Sequence, residues 1–197
     1  MTNPSALWYF LLAAFLQNVV LTTGLGSSLM LRVVRRPRIL VQFGIILLFF
    51  TTAVTALFYP IDRLIPSTWL TRMLRPVLVV TITALLYLLA ATLASKLFAK
   101  WYRNARRLFP LAAFNTVVVG VGLLINHQVS LTFWPSLALA AGSAVGFTVV
   151  SAVTAEGISR IDNPDTPAAF RGLPAALVYL GLLALAMMGF SPYINLV

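Results

Sequence analysis

The sequence predicts an all-α integral membrane protein with six transmembrane helices, arranged as a 3+3 inverted-topology repeat with broken first and fourth helices. Three observations lead to this fold. Of the 197 residues, 60% are hydrophobic and 9% are charged, with a mean hydropathy of +0.96, whereas about a quarter of the residues in a soluble domain are charged. Six mainly apolar runs have the length that crosses a bilayer. The first and fourth of these runs share a pattern of polar residues and glycines.

The six predicted spans form two groups of three. They cover residues 6–26, 39–59, 76–98, 108–125, 133–155 and 173–196. Pro60 and Pro76 lie at two of these boundaries, where a missing backbone N–H costs least. We expect one membrane domain over residues 1–197, with repeat one at about 1–100 and repeat two at about 101–197.

The fourth span carries residues that an anchor would not need. Asn115 and Thr116 bring hydrogen-bonding side chains to membrane depth, and Gly120 and Gly122 follow them in an otherwise apolar run. Pro110 lies near the start of the same run. Because proline and glycine loosen a helix and free its backbone groups, we expect backbone breaks at Pro110, Gly120 and Gly122.

The first span holds a weaker copy of this pattern. Asn18 begins a β-branched and apolar run that leads through Thr22 and Thr23 to Gly24 and Gly26. We expect further backbone breaks at these two glycines. The two asparagines lie about half a chain apart, which suggests an internal repeat.

Positive charge sets the predicted orientation. Two connections between spans are strongly basic, and basic loops remain in the cytoplasm. The first holds Arg32, Arg35, Arg36 and Arg38, and the second holds Lys96, Lys100, Arg103, Arg106 and Arg107. We therefore expect the bacterial cytoplasmic (inner) membrane, with both termini outside, and second-half spans inverted relative to the first.

In an inverted repeat, broken helices meet near the bilayer midplane and their freed backbone lines a site. All four acidic residues lie in loops or at the ends of predicted spans, so an ion or substrate path would use neutral oxygens. Its candidates are Asn18, Thr22, Thr23, Asn115 and Thr116. Alternatively, the asparagines only satisfy a kinked backbone or hold two helices together.

Other features limit the chemistry. The chain has no cysteine, one histidine and four acids, so we predict no catalytic residue and no metal site. The net charge of +10 fits membrane orientation better than nucleic-acid binding. Gly142 and Gly146 form a GxxxG pattern in the fifth span, which predicts close helix packing.

Several segments together resemble a known family. They are QNVVLTTGLGSS from Gln17, PLAAFNTVVVGVG from Pro110, AVGF from Ala144, PAAFRGLPAAL from Pro167 and MGFSPYI from Met188. The chain resembles the six-span RnfA/NqrE-like subunits of Rnf and Na⁺-translocating Nqr electron-transport complexes. The resemblance implies a homologous six-span partner of opposite topology. It also implies two cysteines per subunit, one in each repeat, that hold an iron–sulfur cluster between the partners.

This sequence differs from the family pattern at the residues that hold the cluster. Ser28 and Thr116 stand at the positions that match the family's cysteines, and a neutral hydroxyl does not replace a thiolate on such irons. The resemblance therefore implies the fold without a cofactor bound by this chain, and flavin only on partners.

Three functions remain open at this point. The leading one is a scaffold or ion-passage subunit of an Rnf/Nqr-type complex, at most a non-catalytic part of a redox-driven ion translocase. The second is a stand-alone small transporter of a cation or small solute, acting as a dimer at the midplane site. The third is a purely structural assembly protein. In all three cases the chain lies in the lipid bilayer, and its expected protein partner is a homologous six-span subunit or a second copy of itself.

Overall fold

The structure, a computed structural model, describes residues 5–27, 29–30, 37–66, 68–127, 131–161, 167 and 171–189. Regular secondary structure within these ranges is helical. In chain order the helices are α1 (Ala6–Leu11), a π-helix (Leu12–Leu16), α2 (Val19–Thr23), α3 (Pro37–Leu64), α4 (Trp69–Leu97), α5 (Ala99–Ala105), α6 (Leu108–Ala113), α7 (Thr116–His127), α8 (Phe133–Ile161) and α9 (Leu173–Met188).

The prediction of an all-α membrane protein is confirmed. Among the described residues, four helical segments are long and apolar enough to cross a bilayer, and two further apolar segments are shorter. The four are Ile39–Leu64, Trp69–Leu97, Leu108–Ile125 and Phe133–Ile161, and the shorter ones are Ala6–Leu16 and Leu173–Met188. All six segments fall on predicted spans.

Helices α3, α4 and α8 are longer than their predicted spans. The prediction that Pro60 and Pro76 mark boundaries is wrong, because both lie inside α3 and α4. Helix α4 instead begins after Thr68, whose hydroxyl accepts a hydrogen bond from the Thr71 N–H while the Thr71 hydroxyl accepts one from the Thr68 N–H. This reciprocal cap starts the helix ahead of the proline, and neighbouring elements in a membrane bundle satisfy the groups that a proline frees.

Helices α3 and α8 form the centre of the bundle. The rings of Phe43 and Phe147 lie 5.7 Å apart across this contact, and a side chain at Gly44 would collide with Thr148. Over its most apolar window α8 is 56% buried, against 22% for α4. Of the four long apolar segments, α4 is therefore the one with the smallest buried share.

Short helix α5 connects α4 to the fourth span. The rings of Trp101 and Tyr102 pack on Phe109 at 5.9 and 5.2 Å, while Lys100 and Arg103 are exposed. Aromatic groups on one side and cations on the other are typical of a segment at the membrane surface. This contact positions the start of α6, and with it the break that follows.

Candidate functional site

The first break follows the π-helix. Gln17 closes it, and Asn18 is extended (φ −61°, ψ 118°) before α2 begins. The Asn18 Oδ1 accepts a hydrogen bond from the Val20 N–H at 3.0 Å, and its Nδ2 donates to the Ala14 carbonyl at 3.1 Å. The side chain is 1% exposed. Asn18 therefore caps the new helix and also satisfies a carbonyl of the old one.

Helix α2 ends at the two glycines of the N-terminal motif. Gly24 and Gly26 have φ values of 71° and 81°, a left-handed conformation that side chains rarely adopt. A Cβ at Gly26 would also lie 2.7 Å from the side chains of Val117 and Phe147. The chain therefore turns tightly here, against the second broken helix.

The second break lies between α6 and α7. Asn115 begins α7, and its Oδ1 accepts a hydrogen bond from the Val117 N–H at 3.1 Å. Its side chain is 3% exposed, and its Nδ2 has no hydrogen-bond partner among the described residues. Asn115 therefore caps α7 as Asn18 caps α2, but its side-chain NH2 group has no acceptor among the described residues.

Three residues expected to break the backbone do not. Pro110 lies in the first turn of α6, where a proline N–H would have no partner within the helix. Gly120 and Gly122 lie inside α7. Gly120 is small because the Leu25 side chain occupies the space where a Cβ would stand. The expected breaks at these three positions are wrong, and the break falls at Phe114 and Asn115 instead.

One hydrogen bond joins the two broken helices directly. The Gly26 N–H donates to the Thr116 Oγ1 at 2.8 Å, across 90 residues of sequence. Asn18 and Asn115, which the repeat would bring together, make their hydrogen bonds with their own segments. Among the described residues, it is thus Thr116 and Gly26, and not the two asparagines, that hydrogen-bond one broken helix to the other. Ser28 lies outside the described residues.

Thr22 and Thr23, the remaining residues of the predicted ion or substrate path, line a cleft of about 300 Å³ beside the first break. The Thr22 hydroxyl donates to the Asn18 carbonyl at 2.9 Å, the Thr23 hydroxyl to the Val19 carbonyl, and the Ser143 hydroxyl, also in the cleft, to the Leu139 carbonyl at 2.8 Å. Since each proton is used by the backbone, the exposed hydroxyls of Thr22 and Thr23 offer the cleft their oxygen lone pairs, whereas Ser143 is fully buried. The amide of Gln17 also lines the cleft.

Helix α8 packs closely against the first break. A Cβ at Gly142 would collide with the Phe10 carbonyl oxygen, and one at Gly146 would lie 2.5 Å from the Asn18 Nδ2 and 2.7 Å from the Ala14 carbonyl oxygen. Both glycines of the GxxxG pattern therefore face the first broken helix of the same chain. Their small size lets α8 approach the hydrogen bonds that Asn18 makes.

Comparison with known proteins decides the family. The family model described as "Rnf-Nqr subunit, membrane protein" matches residues 6–194. The chain belongs to the Rnf-Nqr family.

Individual Rnf-Nqr relatives cover most of the chain. It is similar to the A subunit of the ion-translocating oxidoreductase complex of Syntrophotalea carbinolica, at 30% identity over 91% of this chain and 92% of that protein. It is equally similar to the A subunit of the Na(+)-translocating ferredoxin:NAD(+) oxidoreductase complex of Acetobacterium woodii, at 30% over 91% and 93%. The A subunit of the ion-translocating oxidoreductase complex of Alcanivorax borkumensis is 38% identical over a shorter stretch, 59% of this chain and 62% of that protein.

The residues at the second break do not fit an iron–sulfur cluster. Thr116 offers a neutral hydroxyl, and that oxygen already accepts the Gly26 N–H. Such clusters need thiolates, or in some cases imidazoles, and the Rnf-Nqr chain contains no cysteine. In the part of the chain that the structure describes, no three His, Cys, Asp or Glu residues cluster as metal ligands.

A polar site that the sequence pattern does not predict lies at one end of α3. Asp62, expected in a loop, is buried in the last turn of α3, where its Oδ1 accepts from the Arg75 Nε at 2.9 Å. Nearby, the Tyr59 hydroxyl and the Arg63 guanidinium both donate to the Leu131 carbonyl. A signal was available: Thr51, Thr55 and Asp62 recur at four- and seven-residue spacing, which puts them on one helical face.

Proposed function

We propose that this chain is a cluster-free membrane subunit of an ion-translocating oxidoreductase complex of the Rnf-Nqr kind. It scaffolds the complex or lines its ion passage, while the electron carriers reside on other subunits. Its relatives are named as the A subunit of such complexes.

The observation that carries this proposal is the hydrogen bond from the Gly26 N–H to the Thr116 Oγ1. Thr116 stands where the resemblance places a cluster cysteine. Here the same position holds the two broken helices together through protein atoms alone. The break geometry is thus kept for a purpose other than iron binding.

Two capped half-helices support the finer fold, a single domain of two inverted three-span repeats. Asn18 and Asn115 each accept the N–H two residues ahead, from Val20 and Val117. We propose that the halves run oppositely through the membrane with both termini outward. In intact cells, a Ser5→Cys variant should then react with a membrane-impermeant maleimide and a Lys100→Cys variant should not. Labelling of Lys100→Cys but not of Ser5→Cys would contradict this orientation.

Exposure at the breaks supports a protein partner. Thr22, Thr23, Phe114 and Thr116 are exposed in the chain alone, although they flank non-helical backbone within apolar segments. Irregular backbone does not face lipid in the hydrocarbon region, because nothing there satisfies its polar groups. We propose that a homologous six-span subunit covers this break surface, defined by these four residues.

The proposal is tested by purification in mild detergent from the native host, with co-purifying proteins identified and iron and flavin quantified. We expect membrane and flavin-bearing subunits to accompany the chain. A Thr23→Trp change on the break surface should release them, whereas Leu85→Trp on the exposed face of α4 should not. A wild-type chain that purifies alone, or only as a dimer of itself, would contradict the proposal.

A second candidate function, a stand-alone cation transporter, is favoured by the cleft beside the first break. The exposed hydroxyl oxygens of Thr22 and Thr23 in this cleft are acceptors, the groups that coordinate alkali cations. In liposomes holding the purified chain alone, Thr22→Val should then abolish cation flux. Thr92→Val, an exposed α4 threonine with the same backbone hydrogen bond, is the matched control. Absence of flux in wild-type liposomes removes this candidate.

A further inference from the structure

One buried hydroxyl in the bundle differs from its neighbours in its hydrogen bonding. In the described helices, the hydroxyls of buried serine and threonine side chains donate to the carbonyl four residues earlier. These are Thr51, Thr83, Ser136, Ser143, Ser151 and Thr154. Thr55 is 2% exposed, and its Oγ1 has no hydrogen-bond partner among the described residues. A buried polar atom of this kind calls for a partner that is not part of the helix.

Thr55 lines a cavity between α3 and α7. The cavity has a volume of about 10 Å³, and Gly122 and Ile125 supply its α7 side. This is about the space that one water molecule occupies. The unpaired hydroxyl and the space for a partner therefore lie together.

Ionised groups line the same cavity on its other side. Asp62 lies two helical turns beyond Thr55 towards the end of α3 and is paired with Arg75. Arg63 also lines the cavity, and its guanidinium lies 5.1 Å from the Tyr59 ring centroid. The space matches one water molecule, and a water can either donate to the Thr55 hydroxyl or accept from it.

We propose that this cavity is a water site. Water enters past Asp62 from the end of the bundle that carries the α3–α4 connection, and it hydrogen-bonds to the Thr55 hydroxyl. That hydroxyl lies roughly 14 Å along α3 from the helix end, at about 1.5 Å per residue. Water therefore reaches the side of α7, the second broken helix. This inference does not depend on membership in a complex or on ion flux.

The test uses the absence of cysteine from the natural chain. Thr55→Cys and, as matched control, Thr51→Cys each place a single thiol on the same face of α3. The probe is hydrogen peroxide, which is neutral and little larger than water, applied to the purified chain in detergent. Oxidation at each cysteine is followed by peptide mass spectrometry.

We expect Thr55→Cys to oxidise roughly tenfold faster than Thr51→Cys, because thiol oxidation follows exposure to solvent. Equal rates in the two variants, or an inert Thr55→Cys, would overturn the proposal. If Thr55→Cys does not fold, the unchanged protein supplies the answer through a high-resolution experimental density map. An ordered water within hydrogen-bond distance of the Thr55 Oγ1 supports the site, and a dry, well-ordered cavity overturns it.

Discussion

The two broken helices use the same cap but complete it differently. At the first break the π-helix brings the Ala14 carbonyl to the Asn18 Nδ2, so both ends of the amide are paired. At the second break α6 ends as an ordinary α-helix, and the Asn115 Nδ2 lacks a described partner. The break that follows the π-helix thus has both groups of its asparagine amide hydrogen-bonded, whereas the break that follows the α-helix has an Asn115 N–H donor without a described partner.

This difference assigns different roles to the two breaks. The first is fixed by its own hydrogen bonds and by α8, which packs Gly146 against Asn18. The second is held by what reaches it from elsewhere in the chain, above all by the Gly26 N–H on Thr116. We therefore expect substitutions at the first break to cost more stability than equivalent ones at the second.

The largest effect should come from filling the space at the first break. Gly146→Ala places a methyl group 2.5 Å from the Asn18 Nδ2, and overpacking of this kind costs about 1–3 kcal/mol. The measurement is unfolding by SDS titration in mixed micelles. Gly181→Ala on α9, where a Cβ meets nothing within 4 Å, is the matched control. If the two variants lose the same stability, Gly146 does not support the break.

A matched pair at the caps comes next. Serine caps helices about as well as asparagine, but it lacks the amide donor. Asn18→Ser should therefore lose the bond to the Ala14 carbonyl and cost about 1 kcal/mol or more. Asn115→Ser should be neutral or stabilising, since it removes a buried donor without a described partner. The same titration measures both, and a larger loss for Asn115→Ser would reverse the comparison.

A smaller loss is expected at the bond between the halves. Thr116→Val keeps the shape of the side chain but leaves the Gly26 N–H without its acceptor, for an expected loss of about 1 kcal/mol. Thr116→Ser keeps the acceptor and should retain most of the stability. Hydrogen exchange at the Gly26 amide should rise in the valine variant alone. Unchanged exchange there would show that this contact does not join the halves.

The smallest effect should be at Gly122. A Cβ there meets Val79 at 3.5 Å, an ordinary contact, and alanine favours a continuous helix over glycine by roughly 1 kcal/mol. Gly122→Ala should thus be neutral or slightly stabilising in the unfolding titration. At Gly120 the Leu25 side chain must move for a methyl group, so Gly120→Ala should lose more. A marked loss for Gly122→Ala would mean that the backbone is not helical at this position.

The all-α membrane class could be predicted from the sequence, because hydropathy is a local signal, and Asn18 and Asn115 are recognisable for the same reason as polar residues in apolar runs. The position of the second break could not be predicted. A glycine in an apolar run is typical of a helix break, but Gly120 lies inside α7, and the Leu25 side chain packs where its Cβ would be. A local sequence pattern does not contain such a long-range contact. Asp62 follows the predicted end of the second span at residue 59, whereas the helix continues through Pro60 to Leu64.

A bond between a hydroxyl and a peptide N–H has consequences for how this protein matures. The contact between Thr116 and Gly26 is made by protein atoms alone. It requires neither iron nor the enzymes that build and deliver clusters, and no thiol in the chain exists for an oxidant to attack. This contact between the two broken helices therefore depends neither on iron nor on the oxidation state of a thiol.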